Sequence, residues 1–162
     1  MNLKVSIFFS FIFFFVNVES KEKFALITDS KNTFSIIVNL AETISTKEKG
    51  LMDVDKLTNS NGMLFLYSKP KILNFWMKNT YIDLDIIFIG KGKKILNIKK
   101  GFKLSKSIIS SEIPAIAVLE LPINCSKKIG IYKGLILSWK KIENKNLKKI
   151  LKKDINFLPC IK

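Results

Sequence analysis

One tryptophan and two acidic residues carry most of the chemistry this sequence offers. In the stretch NFWMKNTYIDLDIIFIG, residues 74–90, Trp76 sits among Asn74, Lys78, Asn79, Asp83 and Asp85. An indole in such company can stack on a sugar ring or another flat ligand while amides and carboxylates take its hydroxyls. That is the usual pocket mix of apolar wall and convergent polar groups. The packing alternative puts Trp76 under a loop and makes Asp85 a latch that accepts backbone N–H groups. The second acid is Glu120, alone in the apolar run AIAVLEL, 115–121. Asp85 and Glu120 facing each other across a cleft would form an acid and base for glycan hydrolysis, given a separation of about 5.5 or 6.5–9.5 Å. Structural carboxylates are far commoner than catalytic pairs, so the leading expectation is a non-enzymatic module that binds a small ligand, a saccharide or a partner through the Trp76 face. The alternatives are a hydrolase using Asp85 and Glu120, and a structural or accessory protein without a ligand.

Metal chemistry has little to work with. The chain has no His, and its only thiols are Cys125 and Cys160. Triad catalysis and His-ligated zinc are therefore excluded. Asp83, Asp85 and Asn79 supply oxygen atoms but no calcium-loop signature. Met52, Met63 and Met77 have apolar neighbours and read as core filling rather than as a copper site. No metal or other cofactor is expected.

The chain of 162 residues carries a net charge of +15, and all 28 basic residues are lysine. A lysine-only set reflects codon bias better than base or phosphate reading, for which the planar arginine fork is suited. No nucleic acid partner is expected. Residues 1–20 read as a signal peptide. Lys4 precedes the apolar run VSIFFSFIFFFV (5–16), and Val18 and Ser20 fit the −3 and −1 positions of a cleavage site. That run is closer to a secretory segment than to the roughly 20 residues of a membrane span. The chain is thus expected to be exported, periplasmic or secreted; an uncleaved N-terminal anchor is the alternative. Removing residues 1–20 deletes Lys4 and Glu19 and leaves the charge at +15. In an oxidising compartment Cys125 and Cys160 have one intramolecular pairing open to them, and two reduced thiols are the other possibility.

The elements that would position these groups follow from periodicity. KFALIT and TFSIIVNLA read as strands. STKEKGLM reads as a short helix, with Ser45 and Glu48 as a capping box and Gly50 as its stop. MLFLYS is a strand that Lys69-Pro70-Lys71 should break. Residues 72–78 and 83–89 are expected to form an antiparallel hairpin about Asn79–Ile82. Leu73, Phe75, Met77, Leu84, Ile86 and Phe88 would then share the inner face, with Trp76, Lys78, Asp83 and Asp85 outside. KKILNIKK is a further strand, and GFKLSKSIISSEIP an irregular loop. AIAVLEL is a central strand, and GLILSWK closes the set. Residues 142–162 form a basic amphipathic tail with apolar residues at 147, 150 and 151. Docking on the body is its first reading, and contact with an anionic membrane surface or glycan its second.

Six motifs in order, GLM (50–52), GMLF (62–65), FWMKNT (75–80), LDIIFI (84–89), LEL (119–121) and the glycines Gly130 and Gly134, resemble the domain of unknown function 192 family over about residues 33–140. The resemblance implies a compact α+β domain with a strongly curved, barrel-like sheet, and it carries no established activity. The chain departs from the family pattern in four places. Asp53 and Val54 stand where a basic residue usually follows GLM, Asp83 where a Pro precedes Leu84, Leu135 where an acid follows Gly134, and Asn124 and Cys125 where a small Ala-Gly pair lies. The expected protein is a single α+β domain over 21–141, mostly antiparallel, with short helices and a basic C-terminal helix. A monomer is expected.

Overall fold

The structure, a computed structural model, describes residues 23–143, 146, 147, 150 and 158–161. The expected signal peptide and most of the expected C-terminal helix lie outside the described residues. Among the described residues, no helix is long and apolar enough to cross a membrane.

Strands β1 (Phe24–Asp29) and β2 (Ser35–Ala41) form an antiparallel hairpin in which Ile27 faces Ile36. Asp29 locks the turn. One of its oxygens accepts the Thr33 N–H at 2.6 Å and the other accepts the Thr33 hydroxyl at 2.9 Å, the local side-chain bonding that makes Asp a turn former. Helix α1 (Ile44–Lys49) starts two residues earlier than its sequence suggests. Thr43, not Ser45, is the N-cap, and Thr46 completes the box: the Thr46 N–H donates to the Thr43 hydroxyl at 3.1 Å, and the Thr43 N–H to the Thr46 hydroxyl at 3.0 Å. The helix stops at Gly50, whose φ of 49° favours glycine.

Strand β3 (Met63–Lys71) runs through Pro70 instead of breaking there. Its pairing with β8 (Ala115–Pro122) slips register between Leu66 and Lys71, the kind of irregularity where a strand tolerates proline. The remaining elements are β4 (Asn74–Phe75), β5 (Leu84–Ile89), β6 (Ile95–Gly101), β7 (Ile109–Ser110), α2 (Cys125–Lys128) and β9 (Leu137–Ile142). Seven strands form one sheet in the order β6-β5-β8-β3-β2-β1-β9, and β4 and β7 form a separate two-stranded ribbon. Every pair is antiparallel except β2 with β3. The sheet curls until its edges meet at one end. There Lys94 bridges Ile136, and the Ile95 N–H donates to the Leu135 carbonyl at 2.9 Å. The curved, barrel-like sheet expected from the family resemblance is present.

The expected hairpin is not. β5 pairs with β6 on one side and β8 on the other, while β4 pairs with β7, joining Asn74 to Ser110 and Phe75 to Ile109. With both edges of β5 occupied, residues 72–78 have no place beside it and cross its face as a second layer. The expected inner face nevertheless survives. Leu73, Met77, Leu84, Ile86 and Phe88 are buried in one core with Phe65, and the Phe75 ring packs edge-on against Phe65 and Phe88 at 5.1 and 6.1 Å.

The other face of the sheet has its own core, built on Ile27, Ile36, Ile87, Leu119 and Leu137. Leu147, Ile150 and Leu158 pack with Phe24 and Ile37, so the described part of the tail docks on the body. A disulfide joins Cys125 to Cys160, Asn61 Oδ1 accepts the Cys160 N–H at 3.0 Å, and the Lys128 ammonium donates to the Pro159 carbonyl at 2.6 Å.

Candidate functional site

The β4–β7 ribbon has two faces, because side chains alternate across a strand. Leu73, Phe75 and Met77 point into the core. Gly101 makes room for this packing, since a Cβ there would sit 2.6 Å from the Met77 sulfur. Asn74, Trp76 and Lys78 point out, and all three are exposed. Trp76 is 47% exposed, with the Lys78 ammonium 5.5 Å from its ring centroid. It stands one residue beyond the Phe75–Ile109 pair, and Ile108, one residue beyond the same pair on the other strand, is 63% exposed.

The segment after β6 extends this face. The Met77 N–H donates to the Ser105 carbonyl, and the Leu104 N–H to the Thr80 carbonyl, each at 3.0 Å. Asp83 accepts the Lys103 N–H at 2.7 Å. These bonds lay residues 102–108 alongside 76–83, and with them come exposed Tyr81, Phe102 and Leu104. Leu104 takes a φ of 63°, an outlier for a bulky side chain, and is 52% exposed. Asn79, also exposed, adopts a φ of 56°, and its carbonyl accepts the Asp53 N–H.

Asp85 does not join the Trp76 face. It is fully buried on the opposite side of the sheet from Met77. One oxygen accepts the Lys100 ammonium at 2.5 Å and the Asn124 N–H at 3.1 Å; the other accepts the Ser126 N–H at 3.0 Å and its hydroxyl at 2.5 Å. Burial alone would raise this carboxyl. The bonds from Lys100, Ser126 and Asn124 outweigh it and hold the group below the ordinary carboxylate range. Asp85 thus anchors the start of α2, next to the disulfide at Cys125.

Glu120 lies on the other face. It is the cross-strand partner of Ile86 in β5 and of Met63 in β3. Asp85, one residue from Ile86, therefore points away from it, and no cleft can hold both carboxylates. Gly62 lets the start of β3 press against this strand: a Cβ there would lie 1.9 Å from the Glu120 carbonyl oxygen. Burial pushes the Glu120 carboxyl up to about 8. Asp85 and Glu120 thus do not form the paired-acid arrangement that glycan hydrolysis requires.

The oxygen-ligand set Asn79, Asp83 and Asp85 is likewise split between two faces. Among the described residues, no three acidic or thiol groups cluster as a metal site would require. Met63 and Met77 belong to the core under the ribbon.

Sequence reasoning missed Tyr81, Phe102, Leu104 and Ile108. Their signal was apolar residues recurring at 102, 104 and 108 in a segment rich in lysine and serine, where a solvated loop would be polar. It also missed a cleft of about 360 Å³ between α1 and the end of β3, lined by Lys47, Tyr67, Lys69 and Lys71. None of the expected site residues lines it.

Residues 25–139 match the model of the family DUF192, described as "Uncharacterized ACR". Comparison with curated proteins gives no significant match. Two crystal structures are similar. One, from Sinorhizobium meliloti 1021, is described as a "putative transcription regulator"; it is 31% identical, has a TM-score of 0.66, and the alignment covers 73% of this chain and 93% of that one. The other is a protein of unknown function from Novosphingobium aromaticivorans DSM 12444, also 31% identical, with a TM-score of 0.63 and coverage of 72% and 84%.

Proposed function

As this chain belongs to the uncharacterised DUF192 family, we propose that it is an exported, non-enzymatic binding module of the cell envelope, working through the outer face of the β4–β7 ribbon. One observation carries the reading. Trp76 stays half exposed on the outer face, and the neighbouring segment, joined to it by the Met77–Ser105 and Leu104–Thr80 backbone bonds, adds exposed Phe102, Leu104 and Ile108, with exposed Tyr81 alongside. Contiguous exposed apolar surface on a soluble domain marks an interaction site. Export rests on the leader-like residues 1–20 and is compatible with the Cys125–Cys160 bridge.

The separation of Asp85 and Glu120 speaks against the hydrolase alternative. A second reading, in which a sugar ring stacks on Trp76, is favoured by the exposed amide of Asn74 on the same outer face. Co-sedimentation with an isolated cell-envelope fraction tests the proposal. The wild-type protein should sediment and Trp76→Ser should stay in solution with unchanged circular dichroism. Equal sedimentation of the two, no sedimentation of either, or release of reducing ends from envelope glycan would overturn it.

A further inference from the structure

We propose that the partner of the Trp76 face is the surface of a phospholipid bilayer rich in anionic headgroups. The inference rests on the reading that this face is the functional one, and it adds what the face recognises.

Three features of the face fit a lipid surface together. The first is its division of labour. Trp76 and Tyr81 have apolar rings with a polar edge, the combination that settles at headgroup level, whereas Phe102, Leu104 and Ile108 present tips without polar atoms. Those three are 60%, 52% and 63% exposed, so they stand out from the surface rather than line a recess.

The second is charge. Lys78, Lys103 and Lys106 lie within the same two segments, are exposed, and take part in none of the ion pairs among the described residues. Of the nearby acids, Glu112 pairs with Lys99, and Asp83, which accepts the backbone Lys103 N–H, is outnumbered by the three lysines. The Lys103 and Lys106 ammonium groups, together with that of Lys78 against the Trp76 ring, set positive charge around an apolar centre, which is complementary to an anionic bilayer. An interface with an ordinary protein would be expected to carry lysine-poor surroundings.

The third is backbone. Leu104 is held at φ 63°, a conformation a leucine adopts at a cost. The strain has no return in packing, because the side chain is exposed. Its effect is to hold an apolar tip outward beside Trp76, which is of use only if something apolar receives it.

The test uses the mature protein recovered after export, carrying Trp139→Phe so that Trp76 is the sole tryptophan. Vesicles of phosphatidylglycerol with phosphatidylcholine, and of phosphatidylcholine alone, are doped with spin-labelled lipid. With anionic vesicles, Trp76 emission should shift to the blue and be quenched, and high salt should weaken the effect. Each of Lys78→Ala, Lys103→Ala and Lys106→Ala should weaken binding about fivefold. Phe102→Ser combined with Leu104→Asn, both at exposed positions, should weaken it about tenfold or more with the fold intact.

Absence of quenching, equal quenching by neutral vesicles, or undiminished binding by the Phe102/Leu104 variant would overturn the inference. Trp76-dependent sedimentation with envelopes but silence with vesicles sinks the lipid assignment and leaves the binding module standing. Failure of both removes both.

Discussion

Asp85 and Glu120 sit on neighbouring strands and face opposite sides of the same sheet, because the cross-strand partner of Glu120 is Ile86. That relationship separates the two acids chemically as well as spatially. One is ionised and bonded at both oxygens; the other is buried against apolar neighbours and holds its proton up to about pH 8.

Replacing Asp85 should cost stability rather than activity. Asp85→Asn would break the Lys100 bond and leave the Asn124 and Ser126 donors poorly matched. The expected loss is about 2–4 kcal/mol, at the lower end if Lys100, which is partly exposed, rehydrates. The folded carboxyl titrates below its unfolded value of about 4, so its contribution is present above that pH and is lost as pH falls through the folded value. Urea unfolding from pH 7 down to 3 should show a steeper acid limb in the wild type than in the variant, which keeps only the share due to Asp29, Glu42 and Glu112.

Glu120 has the opposite sign. Its folded carboxyl is raised to about 8, so below about pH 4.5 both states are protonated and it costs nothing. From there to about pH 8 the unfolded chain ionises while the folded one does not, and stability falls. Glu120→Gln should therefore match wild type near pH 4.5 and exceed it by a few kcal/mol at pH 8, as read from denaturation midpoints.

The disulfide fastens the tail beside the Asp85 latch. Replacing Cys125 and Cys160 together with Ser should destabilise the domain by roughly 3–4 kcal/mol in the chain-entropy model. Limited proteolysis should then cut residues 142–162 faster than in the oxidised protein, while the sheet is spared.

Leu104 trades stability for exposure. Leu104→Gly removes the penalty of a leucine at φ 63°, and the domain should gain about 1 kcal/mol in thermal or urea unfolding. The same change should weaken envelope binding. A variant that is destabilised would show that this segment is not strained.

Which residues point in was legible from alternation alone. Leu73, Phe75 and Met77 share a core with Leu84, Ile86 and Phe88 as their spacing requires, although the two segments never pair. A period of two reports the face of a strand and is silent about its neighbour. The neighbour is settled by non-local competition, here by β6 and β8 occupying both edges of β5. For the same reason Asp85 read as an outward acid. Alternation placed it correctly opposite Leu84 and Ile86, but that second face is covered, and its partners Lys100, Asn124 and Ser126 lie 15 to 41 residues away. The capping residue of α1 slipped because Thr43–Thr46 and Ser45–Glu48 overlap in sequence and only geometry chooses between them. Phe102, Leu104 and Ile108 were readable as apolar residues out of place, but their position beside Trp76 depends on backbone bonds from Met77 and to Thr80.

Hydrogen–deuterium exchange of the protein with and without phosphatidylglycerol vesicles tests the central claim most directly. If the ribbon face is the docking surface, added protection should concentrate in residues 72–82 and 102–113 and vanish in Trp76→Ser. Protection confined to the tail beyond residue 142, or spread evenly over the sheet, would contradict it.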